Sequence, residues 1–165
     1  MPILYVCRPE RSIVVTLWRG AVDVPQWEEH LTRMLNDKDF PRTRSHLVDL
    51  RSAEIAAGIG PAEFQRIIDF LAPHYKAIAG RKAAILAGRE LPRAGILSYA
   101  IQTLEITLAS FLFTNEACAW LGVSQADISK DLHYLRELAG EEASGSKASP
   151  APDRTSCHRA ALATR

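Results

Sequence analysis

The chain has 165 residues, 20 of them basic and 19 acidic for a net charge of +1, and 47% are apolar. That suits one core of ordinary size plus an appendage, and the near-balance of charge argues against non-specific nucleic-acid binding, which needs surplus positive charge. No apolar run reaches the roughly 18–20 residues that span a bilayer, the first residues lack the basic-then-apolar pattern of a leader, and three scattered cysteines (Cys7, Cys118 and Cys157) fit free thiols in a reducing cytoplasm.

Two strands open the chain, Ile3–Cys7 and Ser12–Trp18, joined by the polar link Arg8-Pro9-Glu10-Arg11. A hairpin-like antiparallel pair is the simplest arrangement, and Gly20 is expected to end the second strand. Asp23 with Gln26 three residues later, and Pro25 in the first turn, marks a helix start. That helix buries Val24, Trp27, Leu31, Met34 and Leu35, and Pro41 follows its end.

Residues 45–88 are the richest in structural signal. Ser45–Leu50 reads as a buried strand, and a Gly58-Ile59-Gly60-Pro61 turn follows. Phe64, Ile67, Ile68, Leu71, Tyr75 and Ile78 recur at helical spacing. Pro73 should kink or end that helix, because proline removes a backbone donor. Lys82–Ala87 is a second buried strand, closed by Gly88. Strand, helix and buried strand in succession imply a parallel pair with a right-handed crossover.

Pro92 is expected to open another helix, with Ile96, Leu97, Ala100, Ile101 and Leu104 as its stripe. Leu108–Phe113 reads as the last strand. Asn115 can cap a short helix that Gly122 stops. Ser124 and Asp127 mark a further helix with Ile128, Leu132, Leu135 and Leu138 on one face. That helix could cover an apolar patch or pair with a second copy, so a homodimer is one outcome. Gly140 is the expected domain edge, giving a domain over 1–140 and a tail over 141–165. The tail is rich in Ala, Ser, Pro and charge, without periodicity, which suits disorder.

The order of elements, with Leu47-Val48-Asp49-Leu50-Arg51, Lys82-Ala83-Ala84-Ile85-Leu86, and Phe111-Leu112-Phe113 leading to Ala117-Cys118-Ala119-Trp120-Leu121-Gly122, resembles the SpoIIAA-like proteins. These are small bacterial relatives of the STAS domain (sulfate transporter and anti-sigma-factor antagonist). The resemblance covers roughly residues 1–122. It implies an α/β domain: a mixed, mostly parallel sheet of about five strands with helices packed against it, here with an extra C-terminal helix and the tail. It also implies a regulatory module that works through protein contacts. In typical members a serine at the start of the helix after the third strand is phosphorylated, which adds about −1.5 to −2 charge at a helix end facing a partner. Here no serine or threonine occurs from Ala53 through Leu97, and Ser52 comes too early. The phosphorylation switch is therefore expected to be absent.

Ligands of open α/β sheets sit beyond the carboxyl ends of the parallel strands. Those ends carry Asp49, Arg51, Gly88, Arg89, Thr114 and Asn115, with helices starting near Gly60-Pro61 and Pro92-Arg93. Helix N-termini favour anions. Arg51, Gly58, Gly60, Pro61, Arg89 and Arg93 are thus the candidate site for an anionic patch on a partner or a small anion. The competing reading is three solvated arginines, one paired with Asp49 or Glu90. A nucleotide loop fails on detail: Glu63 stands where GxGxxG needs glycine, and no Lys-Ser or Lys-Thr follows.

Enzyme signatures are missing. No two of His30, His46, His74, His133 and His158 have metal-ligand spacing on one helix face, and there is neither a Gly-x-Ser-x-Gly elbow nor Cys-x-x-Cys. His46, in a strand beside buried residues, reads as a hydrogen-bonded structural histidine. Cys157-His158 supplies only two ligands, too few for a metal. No catalysis, cofactor or metal is expected. Residues 117–135 look like a helix-turn-helix, but Asp127 and Asp131 in the second helix oppose contact with phosphates; DNA binding is the second alternative. The first alternative is a lipid or small anionic ligand, because the SpoIIAA-like fold resembles the CRAL-TRIO lipid-transfer domains. Phe64, Ile68, Leu97 and Ile101 would line such a cavity, although that spacing equally suits plain core. The leading reading is a cytoplasmic protein-interaction or regulatory module using the 61–74 helix, with Arg51 beside it and a protein partner.

Overall fold

A computed structural model describes residues 2–55, 60–88 and 104–145. One five-stranded sheet runs in sequence order: β1 (Ile3–Arg8), β2 (Ile13–Val22), β3 (Ser45–Ile55), β4 (Lys82–Leu86) and β5 (Thr107–Phe111). β1 and β2 are antiparallel, and every later neighbour is parallel. The mixed, mostly parallel α/β sheet expected from the sequence is therefore the observed one.

Each parallel step needs a crossover connection. α1 (Val24–Leu35) joins β2 to β3, and α2 (Pro61–Leu71) lies between β3 and β4. Strands laid down in order with crossovers of one hand place these helices on one face. The core on that face joins Val14, Trp18, Trp27, Leu31, Phe64 and Ile67, among others. Trp27 stands edge-on to Trp18 and to Phe64, with ring centroids 5.4 and 5.9 Å apart. Such aromatic pairs add about 0.5–1.5 kcal/mol each beyond their burial.

The opposite face is covered by two further helices, α4 (Thr114–Leu121) and α5 (Gln125–Gly145). Ile13, Val15, Leu17, Leu47 and Leu86 meet Cys118, Leu121, Ile128, Leu132 and Leu135 there. The apolar stripe of α5 is thus spent on the sheet of its own chain. Helix α5 extends past Gly140 to Gly145.

Local chemistry explains the helix ends. Asp23 Oδ1 accepts from the Gln26 N–H at 2.9 Å while Gln26 Oε1 accepts from the Asp23 N–H at 3.0 Å, a reciprocal capping box. Pro73 ends α2 as expected: Ala72–His74 tightens to a 3-10 turn before the single-turn α3 (Tyr75–Ile78). Gly122 adopts φ 73° at the C-cap of α4, a left-handed conformation that costs glycine nothing.

Several expectations need correction. β2 runs through Gly20 to Val22, since glycine at φ 60° is accommodated where the strand pairs with the far end of β3. The last strand stops at Phe111, because its partner β4 ends at Leu86, opposite Phe111. Phe113, not Asn115, is the N-cap of α4. Asn115 lies within the helix. The expected helix from Pro92, with Leu97 and Ile101, lies outside the described residues, as does residues 146–165 of the tail.

At the amino ends of the parallel strands a polar cluster is packed beneath α1. Thr16 Oγ1 and His46 Nε2 share a hydrogen bond of 2.6 Å, which is the structural role expected for His46. His30 is buried against the edge of the Tyr5 ring. The Tyr5 hydroxyl donates to Asp37 Oδ2 at 3.2 Å. Arg81 is also buried. Its guanidinium donates to the carbonyls of Ala77 and Phe40 and to Thr43 Oγ1, and it lies 3.9 Å from the Phe40 ring centre. Burial pulls its pKa down to about 10. It secures the turn Phe40–Arg42 against β4.

Candidate functional site

β3 carries the centre of the candidate site because its register breaks there. Leu17 pairs with Asp49, but Arg19 pairs with Ser52, so Leu50 and Arg51 oppose Trp18 alone. This is a β-bulge, which bends a strand and re-aims side chains. Alternation leading into it sends Leu50 to the α1–α2 core. Asp49 points toward α5.

Asp49 is only 1% exposed, and a buried carboxylate needs partners. Its Oδ1 accepts from the Arg51 backbone N–H at 3.1 Å and from Arg51 Nε at 2.9 Å. Its Oδ2 accepts from Arg51 Nη2 at 2.7 Å and from Arg136 Nη2 on α5 at 3.1 Å. Four hydrogen bonds match the capacity of a carboxylate. Those bonds and the negative charge raise the pKa of Arg51 further. Arg51 also donates through Nη1 to Thr114 Oγ1 at 3.2 Å, which ties β3 to the start of α4. A Cβ added to Gly88 would touch Arg51 Cα and Cγ at 3.9 Å, so the end of β4 runs beside the same arginine.

Next to Thr114 stand Leu112 and Phe113, 51% and 60% exposed. They follow the point where β5 loses its partner strand. The carboxyl end of the sheet therefore carries two exposed apolar residues next in sequence to Thr114, whose hydroxyl accepts from one of the two guanidiniums gathered on the buried carboxylate.

Of the expected site residues, Arg51 and Pro61 are exposed, and Arg51 has Asp49 as its ion-pair partner. Gly60 is the N-cap of α2; its N–H donates to Glu63 Oε2 at 2.9 Å. Hydrogen bonds from the Gly60 and Glu63 N–H groups hold the Glu63 carboxyl below its usual range. The positive end of α2 thus already faces a carboxylate of its own helix. Gly58, Arg89 and Arg93 lie outside the described residues. Arg136, Leu112 and Phe113 did not emerge from the sequence as site residues. The signal for Phe113 is available in hindsight: an apolar pair just ahead of a helix start, beyond the last residue that a short neighbouring strand can pair.

A second ionic cluster holds α5 at Asp131. Asp131 is buried; Arg8 Nε reaches its Oδ1 at 2.9 Å and Arg11 Nη2 its Oδ2 at 2.7 Å. Helix α5 therefore supplies a carboxylate to the β1–β2 link and a guanidinium to β3. Among the described residues, no His, Cys, Asp and Glu side chains group to hold a metal ion. No helix among them is long and apolar enough to cross a membrane.

No known protein family and no curated protein matches the chain. Solved structures are similar to it, two of them as follows. One is an uncharacterized protein of the DUF3478 family with a SpoIIAA-like fold from Shewanella loihica PV-4. It is 16% identical, with 72% of this chain and 93% of that chain covered and a TM-score of 0.48. The other is an anti-sigma factor antagonist from Mycobacterium paratuberculosis, 14% identical, with 71% and 92% covered and a TM-score of 0.42.

Proposed function

We propose that this chain is a non-catalytic protein-interaction or regulatory module that docks its partner at the carboxyl end of the sheet. The observation that carries this reading is the exposed Leu112–Phe113 pair beside the Arg51–Thr114 contact. Large apolar side chains rimmed by charge are what protein interfaces use as anchors. The exposed residues at the start of α2, Pro61 and Ala62, flank the same end of the sheet and extend the surface. The STAS resemblance of the sequence supports the same mode of action.

The chemistry of the site supports binding over catalysis. Asp49 already accepts four hydrogen bonds, so its lone pairs are committed and it has no capacity left as a general base. The 53–62 segment carries no hydroxyl, so regulation by phosphate there is not expected. Phosphate mapped to Ser52 in native protein would change that view.

Co-purification tests the proposal. A Leu112→Asp/Phe113→Ser variant should melt like the wild type, since both side chains are exposed, and lose the partner that the wild type retains. A variant that keeps the partner would refute the docking surface.

A small anion is the second reading, favoured by the excess of guanidinium over carboxylate at Asp49. Native mass spectrometry of freshly purified protein separates the two. A clean polypeptide mass is expected; an added small-molecule mass that vanishes on denaturation would move the function to ligand binding.

A further inference from the structure

Arg51 and Arg136 each place an Nη2 within 3.1 Å of the same Asp49 oxygen. Two like charges are therefore held side by side, with one carboxylate between them. Arg51 spends three N–H groups, on Asp49 and Thr114. Arg136 spends one. Each guanidinium has five donors in a planar fork, so most of those on Arg136 are uncommitted, and its side chain is 47% exposed. Asp49 fixes the arginines from beneath and leaves a net single positive charge at the surface.

We propose that Arg51 and Arg136 form an oxyanion clamp for a carboxylate on an acidic segment of a protein partner, with Leu112 and Phe113 receiving an apolar side chain of the same segment. This rests on the interaction reading above and names the chemistry of the partner. Charge complementarity favours a carboxylate: a local excess of one positive charge suits a monoanion. Exposed Glu116, in the first turn of the helix that begins at Thr114, and Glu54, farther along β3, disfavour a more highly charged group. The apolar pair beside the clamp favours a peptide over a free ion, which could not use it. Preorganisation by Asp49 and Thr114 reduces the ordering cost of binding, and a guanidinium grips a carboxylate through two parallel hydrogen bonds.

The test is a titration of the full chain, followed through the arginine Nε–H resonances, with the peptide acetyl-Glu-Leu-Glu-Phe-amide. The Gln-for-Glu peptide and inorganic phosphate are titrated in parallel. Saturable shifts of Arg51 and Arg136, with perturbation of the Phe113 ring, are expected from the acidic peptide. The Gln peptide should bind about tenfold more weakly, as should an Arg136→Gln variant. Arg136→Lys should recover part of the loss, and Arg42→Glu, at an exposed remote arginine, should recover none and lose none. Circular dichroism establishes that each variant is folded. Equal binding of the two peptides, undiminished binding to Arg136→Gln, or saturation by phosphate alone would overturn the clamp. A partner captured at Phe113 with no peptide response would overturn the clamp while leaving the interaction module standing.

Discussion

Arg136 reaches back 87 residues to place its Nη2 3.1 Å from Asp49 Oδ2. Helix α5 is thereby tied to β3 just ahead of its bulge. Asp131, on the same helix, is ion-paired with Arg8 and Arg11 at the β1–β2 link. These contacts with opposite charge patterns fix α5 along the sheet, above the apolar contacts of Ile128, Leu132 and Leu135.

Asp49 should matter more to stability than either arginine it holds. Asp49→Asn removes the charge that two adjacent guanidiniums share, and we expect a loss of about 2 kcal/mol. Arg136→Gln leaves the bidentate Arg51 contact intact and should cost less than half of that. Urea unfolding of both variants checks the order. An equal or larger loss for Arg136→Gln would contradict the arrangement.

Asp131→Ala should destabilise by about 3 kcal/mol, because it strands Arg8, leaves Arg11 with only its longer contact to Glu10 and removes a buried carboxylate. Arg8→Ala should cost less, since Arg11 still reaches the other oxygen. Hydrogen exchange should accelerate first in α5 of the Asp131→Ala protein. Acceleration spread evenly over the sheet would count against a local clamp.

The buried histidines should make the fold acid-sensitive in a defined window. Burial is the main cause that lowers the His30 pKa from 6.5 to about 3, with His46 and Arg33 adding repulsion. Burial likewise takes His46 to about 4, with Arg81 nearby. Both folded-state values lie below the unfolded value, so the unfolded chain binds more protons as pH falls. The contribution is therefore complete above about pH 6.5. It is lost progressively toward pH 4 and 3, at up to about 1.4 kcal/mol per pH unit for each histidine. His30→Phe keeps an aromatic ring against Tyr5 and strands no hydrogen-bond partner at Nδ1. Its urea midpoint should fall less steeply between pH 6 and 4. An unchanged slope would exclude His30 as a source.

The capping box at Asp23 gives a smaller effect. Asp23→Ala releases the Gln26 N–H and should cost about 1 kcal/mol. Asp23→Asn should recover most of it, as a shift in thermal midpoint would show.

What could be read from the sequence was whatever depends on near neighbours. Asp23 with Gln26, the Pro73 break, the Gly122 stop and the β3–α2–β4 unit all follow from spacing or from a single residue's backbone. The unread part depends on distant partners. The bulge at Leu50–Arg51 exists because two strands fall out of register, and nothing local marks it. Leu112 and Phe113 look like strand residues until β4 is known to end at Leu86. Arg136 sits on a polar helix face, and only the packed helix brings it to Asp49. His30 was within reach: it lies three residues after Trp27 and four before Met34, on the buried stripe, but its polarity masked its place in the pattern.

The most direct test of the interaction module is site-specific photo-crosslinking from residue 113 in cells of the source organism. A control crosslinker at Arg42, exposed and on another part of the surface, runs beside it. The expected result is one discrete protein adduct from position 113, absent from position 42 and abolished by Leu112→Asp. No adduct from 113, or the same adducts from both positions, would contradict a docking surface at the carboxyl end of the sheet.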